Sequence, residues 1–139
     1  MGNWGTPEGF EWGCYGTGIP GADGQAIGTG YQNTIDIVAQ NCQTENGGIT
    51  AAQAALDAEI NGYSDWYLPS KDELVEMYNT IGNGGLEGNI GGFETSDWSY
   101  YWSSAEGINS NACFVYFFIG VAGSSSKSST YRVRVIRAF

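Results

Sequence analysis

Tyr63-Ser64-Asp65-Trp66-Tyr67-Leu68-Pro69-Ser70-Lys71-Asp72-Glu73-Leu74 is the stretch from which the rest of the chain can be read. Ser70 and Glu73 stand three apart, the spacing at which a serine hydroxyl and a glutamate carboxylate each satisfy the other's backbone N–H at a helix start. Leu74, Met77, Tyr78 and Ile81 follow on one face, so the spacing predicts an amphipathic helix over 71–81. If 63–70 is extended, Trp66 and Leu68 point the same way. The adjacent acids Asp72 and Glu73 suit the positive end of a helix dipole and need no catalytic explanation.

Upstream, Thr50 and Gln53 repeat the capping-box spacing and predict a helix over 51–60, stopped by Asn61-Gly62. Ile35, Val38, Ala39 and Cys42 share a face and predict a helix over 34–41, capped by Asn33 or Thr34. Asn46-Gly47-Gly48 separates the two. Residues 1–32 are rich in glycine, with Trp4, Phe10, Trp12 and Tyr15 as expected anchors and one short strand near Trp12. Downstream, 82–97 holds six glycines and reads as loop. Strands are expected at 100–104, 113–119 and 131–139, with the polar 123–130 too soft to be a core element. Helices first and strands later predict an α+β domain with a small antiparallel sheet, loop-rich and spanning 1–139.

Composition narrows the function. The chain has 139 residues, 42% hydrophobic, 14% charged, with 22 glycines and a net charge of −10. That field repels polyanions, so nucleic acid and anionic membrane are poor candidate partners. No stretch has the length of a membrane helix; the longest apolar run, 112–119, suits a buried strand. The start lacks a charged and apolar leader. Three of the five basic residues, Arg132, Arg134 and Arg137, crowd the end of the chain, where guanidinium forks can hold loops and carboxylates. There is no histidine and no Cys-x-x-Cys, so a structural zinc is not expected. If the domain is exported, Cys14 and Cys42 can pair; otherwise they are two buried thiols. Cys113 is then the odd cysteine, on a strand.

The run 61–74, then Tyr101-Trp102-Ser103-Ser104, then Val133-Arg134-Val135-Ile136-Arg137-Ala138-Phe139, resembles the DUF1566 family, also called the Lcl C-terminal domain, a branch of the C-type lectin-like fold. Glu11-Trp12-Gly13-Cys14-Tyr15-Gly16 and the segment from Ala26 to Cys42 are similar to it as well. Family members usually begin with a further apolar strand upstream of Trp12, which here is absent or replaced by residues 1–10. A subset resembles the variable proteins of diversity-generating retroelements. In these, adenine-directed substitution of AAC codons reaches most residues but never Lys, Glu, Gln, Met or Trp. From Gly107 to Tyr131 only Lys127 lies outside the reachable set.

On the strand 113–119, period two places Phe114, Tyr116 and Phe118 on one face and Cys113, Val115, Phe117 and Ile119 on the other. A central strand buried on both faces reads the same way. The resemblance implies that Ala112, Phe117 and Gly120 are fixed while 114, 116 and 118 vary, and so predicts an exposed aromatic patch. Ile108, Ser110, Ile119, Val121, Gly123, Ser124, Ser125, Ser126, Ser128, Ser129 and Tyr131 would complete it, within a variable binding region at 107–131. Tyr with Ser and Gly is the composition of an adaptable binding surface. Trp66, Trp98, Trp102 and Phe117 would form the floor. Arg134 and Arg137 would hold carboxylates or carbonyls there, with Asp65 or Glu106 as partners.

The expected function is a non-enzymatic display domain that binds a protein or cell-surface ligand. It would work outside the cell, on a cell or virion surface, as a monomer or trimer within a larger protein. The competing class is a constant glycan-binding adhesin, for which Ca²⁺ would be the cofactor, although no calcium loop is present and Asp23-Gly24 alone is a weak sign. Formylglycine-generating enzymes share the fold, but they use reactive cysteines and no nucleophile–base arrangement stands out here.

Overall fold

The computed structural model describes residues 9–138; Trp4 and Phe139 lie outside them. Three helices and two antiparallel sheets follow the order β1 (Phe10–Glu11), α1 (Gly30–Ala39), α2 (Ala51–Leu56), α3 (Lys71–Thr80), β2 (Tyr100–Ile108), β3 (Asn111–Tyr116), β4 (Val121–Ser126) and β5 (Thr130–Tyr131). β2, β3 and β4 form one sheet in that order, and β1 pairs with β5 in the other. The architecture is α+β and loop-rich, as the order of sequence patterns predicts.

Helix α3 starts where its capping box requires. The Ser70 hydroxyl accepts from the Glu73 N–H, and the Glu73 carboxylate accepts from the Ser70 N–H at 2.8 Å. Its other oxygen accepts from Gly28 N–H at 2.7 Å, which ties the helix start to the loop before α1. Gly30 is required at this junction: a Cβ there would lie 2.2 Å from the Glu73 carboxylate. Leu74 is buried, and Tyr78 packs edge-on against Phe117 at 5.5 Å.

Helix α1 begins four residues earlier than its apolar spacing suggests, and Thr29 at its N-cap makes no side-chain cap. The buried face is Gly30, Asn33, Thr34 and Ile37, one position away from the apolar stripe. Asn33 and Thr34 are therefore not caps. They face inward because each is satisfied there. The Asn33 amide donates to Gly24 O at 2.7 Å, and the Thr34 hydroxyl both donates to Gly30 O and accepts from Leu68 N–H. Helix α2 stops at Leu56, with Asp57 as its C-cap rather than Asn61. Tyr15 is exposed and anchors nothing, whereas Trp12 is buried.

The end of the chain differs most from expectation. Val121–Ser126 is a strand, paired with β3 from Asn111↔Ser126 to Tyr116↔Val121. A strand needs only backbone pairing, and small side chains do not prevent it, so polarity was a poor guide. In contrast, 131–139 is not one continuous strand. After β5 it makes single bridges, Tyr101↔Arg132 and Tyr67↔Ile136.

Two core clusters result. The first gathers Trp12, Ile37, Trp66, Leu68, Trp102 and Val133 with the alanines of α2; the second gathers Leu74, Phe93, Tyr101, Val115 and Phe117 beneath α3. The two indoles tie β2 to the N-terminal segment, Trp12 donating to Ser103 O at 2.8 Å and Trp102 to Phe10 O at 2.7 Å. Cys14 and Cys42 are joined in a disulfide, closing a loop over a separation of 28 residues. Cys113 is a free, buried thiol whose pKa is pushed up by burial.

Candidate ligand-binding face

The register of β2, β3 and β4 decides which rings meet. Tyr100 faces Tyr116, and Trp102 faces Phe114. On the other side Phe114 faces Gly123 and Tyr116 faces Val121. Alternation places all of these on one surface of the sheet. Tyr131 reaches the same surface from β5.

The rings form a continuous ladder. Tyr100 stacks on Tyr116 with centroids 4.3 Å apart and on Tyr131 at 5.0 Å. Phe114 meets both Tyr100 and Tyr131 edge-on. Trp102 lies beneath Tyr131 at 4.6 Å, and Phe118 follows Tyr116 at 5.8 Å. Gly123 gives Phe114 room to lie on the sheet, since a Cβ there would be 2.9 Å from the ring. The Tyr131 hydroxyl shares a hydrogen bond with Ser125 at 2.9 Å. Desolvation, with Tyr100 and Asp97 adding to it, raises the pKa of the Tyr116 phenol, which stays neutral at physiological pH.

Exposure along this ladder is graded, not uniform. Trp102 is fully buried, Phe114, Tyr116 and Tyr131 are half-buried, and Phe118 is 46% exposed. The expectation of an exposed patch of Phe114, Tyr116 and Phe118 is corrected on this point: only Phe118 is exposed, and Phe114 and Tyr116 are half-buried. Phe114 and Tyr131 lean against the first core cluster while their outer edges stay open. The strand also ends at Tyr116. Residues 117–120 form a turn, so period two fails there, and Phe118 and Ile119 both point outward instead of to opposite faces. Phe117 stays fully buried, 4.4 Å from the Phe93 ring and 4.8 Å from Tyr101.

The remaining expected members do not form one patch. Val121 is exposed beside Phe118 and Ile119. Ser124 and Ser126 alternate to the opposite sheet surface from Gly123. Ile108 and Ser110 sit at the β2–β3 turn with Ser126 and Ser128, whose hydroxyls bond each other at 2.7 Å. That turn is separated from the Phe118 turn by the length of β3, roughly 20 Å at about 3.4 Å per residue. The sheet therefore presents two separate ends, an oily one where Phe118, Ile119 and Val121 are exposed beside half-buried Tyr116, and a more polar one where exposed Ile108 and Asn109 adjoin half-buried Ser110, Ser126 and Ser128.

Two residues take roles that the sequence does not announce. Tyr100 is the hub of the ladder; the alternation Tyr100, Trp102 was its only sign. Lys127, the one residue of 107–131 outside the reachable set, has no exposed surface. Its ammonium lies 2.7 Å from Glu106, donates to Thr17 O at 2.8 Å and stands over the Trp12 ring at 4.8 Å. Glu106 is thus the partner of Lys127 and not of an arginine, and it also accepts from Ile19 N–H.

The sequence profile of the Lcl C-terminal domain matches residues 21–137. The chain belongs to the Lcl C-terminal domain family. No curated protein matches it. The matched span takes in all three helices of this Lcl domain, the whole β2–β3–β4 sheet and β5; Cys14 and β1 lie ahead of it. Within it, Arg137 forks onto Asp65 at 2.7 and 3.1 Å and stacks on Tyr63 at 3.7 Å. That hydrogen bond lowers the Asp65 pKa and raises that of Arg137. Arg134 is buried against Phe93 at 4.1 Å and donates to Gly91 O. Trp66 is buried in the first core cluster with Trp102. Trp98 is not: it is 78% exposed on the loop before β2. Among the described residues, no cluster of three His, Cys, Asp or Glu side chains could hold a metal ion.

Proposed function

We propose that this Lcl domain is a binding module that displays an exchangeable face on a C-type lectin-like scaffold. The domain takes in the whole chain, within a larger protein at a cell or virion surface. It has no catalytic role, and its ligand is a protein or another surface molecule. The rings of 116–121 supply contact area at small cost in side-chain entropy, and the serines supply adaptable hydrogen bonds. Retroelement-driven substitution is the source of variation in this reading.

The observation that carries it is the division between neighbours. Phe117 is locked among Tyr78, Phe93 and Tyr101, while Phe118, Ile119 and Val121 next to it meet water. Residues that could be exchanged without unfolding the chain are thus interleaved with residues that could not. Lys127 supports the same division. The single amino acid in 107–131 that adenine-directed change cannot produce is a buried structural post.

The test is the nucleotide sequence together with binding. Codons for Tyr116, Phe118, Ile119 and Val121 should end in C or T, and a near-copy of the segment with adenines at those codons should lie close by. An array of surface proteins should yield a ligand whose binding falls at least tenfold in Phe118→Ser. Absence of any such copy would remove the diversification reading. Calcium-dependent glycan binding indifferent to Phe118→Ser would replace the display reading with a constant adhesin.

A further inference from the structure

A second concavity lies away from the ring ladder, between α3, the loop at 90–91 and the last residues of the chain. Its volume is about 560 Å³, within the range of roughly 300–1,000 Å³ typical of small-ligand sites. Trp66, Met77, Ile81 and Ile90 give it an apolar wall, and Arg134 and Arg137 give it a cationic one. None of its lining residues belongs to the ring ladder, so nothing here depends on the display reading.

We propose that this cavity binds an amphipathic monocarboxylate, a medium-chain fatty acid or an arylalkanoic acid. The charge distribution is the first argument. The chain has 15 acidic and 5 basic residues, yet two of the five basic residues line this cavity and no carboxylate does. Asp65, just outside the lining, offsets Arg137, so the net positive charge of this wall is that of Arg134, opposite in sign to the whole molecule, and it favours an anion.

The second argument is orientation. Stacking on Phe93 and the hydrogen bond to Gly91 O hold the Arg134 guanidinium in the wall, at 4% residue exposure. Tyr63 and Asp65 hold Arg137 beside it. A planar guanidinium held in this way matches a carboxylate, and little ordering remains to be done on binding. Burial pulls the Arg134 pKa below its ordinary value, and an anion in the cavity offsets that desolvation.

The third argument is the apolar wall. Ile81 and Ile90 are exposed around the cavity with Tyr63. An aliphatic or aromatic body laid on them removes that surface from water, at about 25 cal/mol per Å². An inorganic anion would leave the wall wet, and a neutral lipid would gain nothing from the guanidinium charge.

Calorimetric titration of the full chain with sodium octanoate, and separately with octanol, tests the proposal. One saturable octanoate site is expected, with octanol at least tenfold weaker. Ile81→Glu and Ile90→Asp, both at exposed positions, should each weaken octanoate at least tenfold and keep the parent melting temperature. Phe118→Ser should leave octanoate binding unchanged. Lack of saturable binding would overturn the proposal, as would equal affinity for octanol. Octanoate binding that survives both isoleucine variants and disappears in Phe118→Ser would also overturn it, by assigning the fatty chain to the ring ladder.

Discussion

Lys127→Ala should lower the unfolding free energy by about 3–5 kcal/mol, the usual cost of leaving one member of a buried ion pair without the other. The side chain reaches from the turn after β4 into the N-terminal loop, where it meets Glu106 and Thr17 O under the Trp12 ring. Removing the ammonium leaves the Glu106 carboxylate with only the Ile19 N–H, and leaves Thr17 O without this donor. It also empties a fully enclosed space, and the loss is added to that of the charge. Lys127→Met tests the charge alone, because it keeps most of the volume. Combining it with Glu106→Gln should restore part of the loss, since both charges then leave together. Urea unfolding of the four proteins gives the coupling directly. Additive losses would show that the two groups do not depend on each other.

The second large effect belongs to Phe117. Phe117→Ala should cost about 3–5 kcal/mol, as deletion of an enclosed aromatic ring does. Three rings surround it, and its N–H donates to Ser99 O at 2.8 Å, which fixes the turn that presents Phe118. Phe118→Ala, one residue on, should change stability by less than about 1 kcal/mol, since that ring has water on one side and one neighbouring ring on the other. Thermal and urea unfolding of the two variants would compare them on the same scale. Similar losses would mean that Phe118 is part of the core.

Much of this arrangement can be read from the residues, and the exceptions have physical causes. Ser70 with Glu73 is a local motif in which each partner needs only the other, so α3 begins where the sequence says. Phe117 enclosed and Phe118 open is what the family resemblance implies, whereas strand alternation ends at Tyr116 and cannot supply it. Apolar periodicity has no way to count a polar residue that is satisfied inside, so it offers Asn33 or Thr34 as a cap where both face inward. Small polar residues make 123–130 look too soft for a core element, although backbone pairing to β3 makes Val121–Ser126 a strand. The separation of Ile108 from Phe118, and of Ser124 from Gly123, depends on turn positions and register. Neither is encoded in a list of exposed residue types. Lys127 was the exception to the codon pattern, and its burial partner, Glu106, lies 21 residues away on another strand.

The account stands on the claim that the oily end of the sheet can be rewritten without cost to the scaffold. The most direct measurement is the urea unfolding of a single variant carrying Tyr116→Ser, Phe118→Ser, Ile119→Ser and Val121→Ser. A cooperative transition within about 2 kcal/mol of the parent is predicted, with most of the difference coming from Tyr116, the half-buried member. A loss as large as that of Phe117→Ala, or a broad transition without a folded baseline, would contradict it.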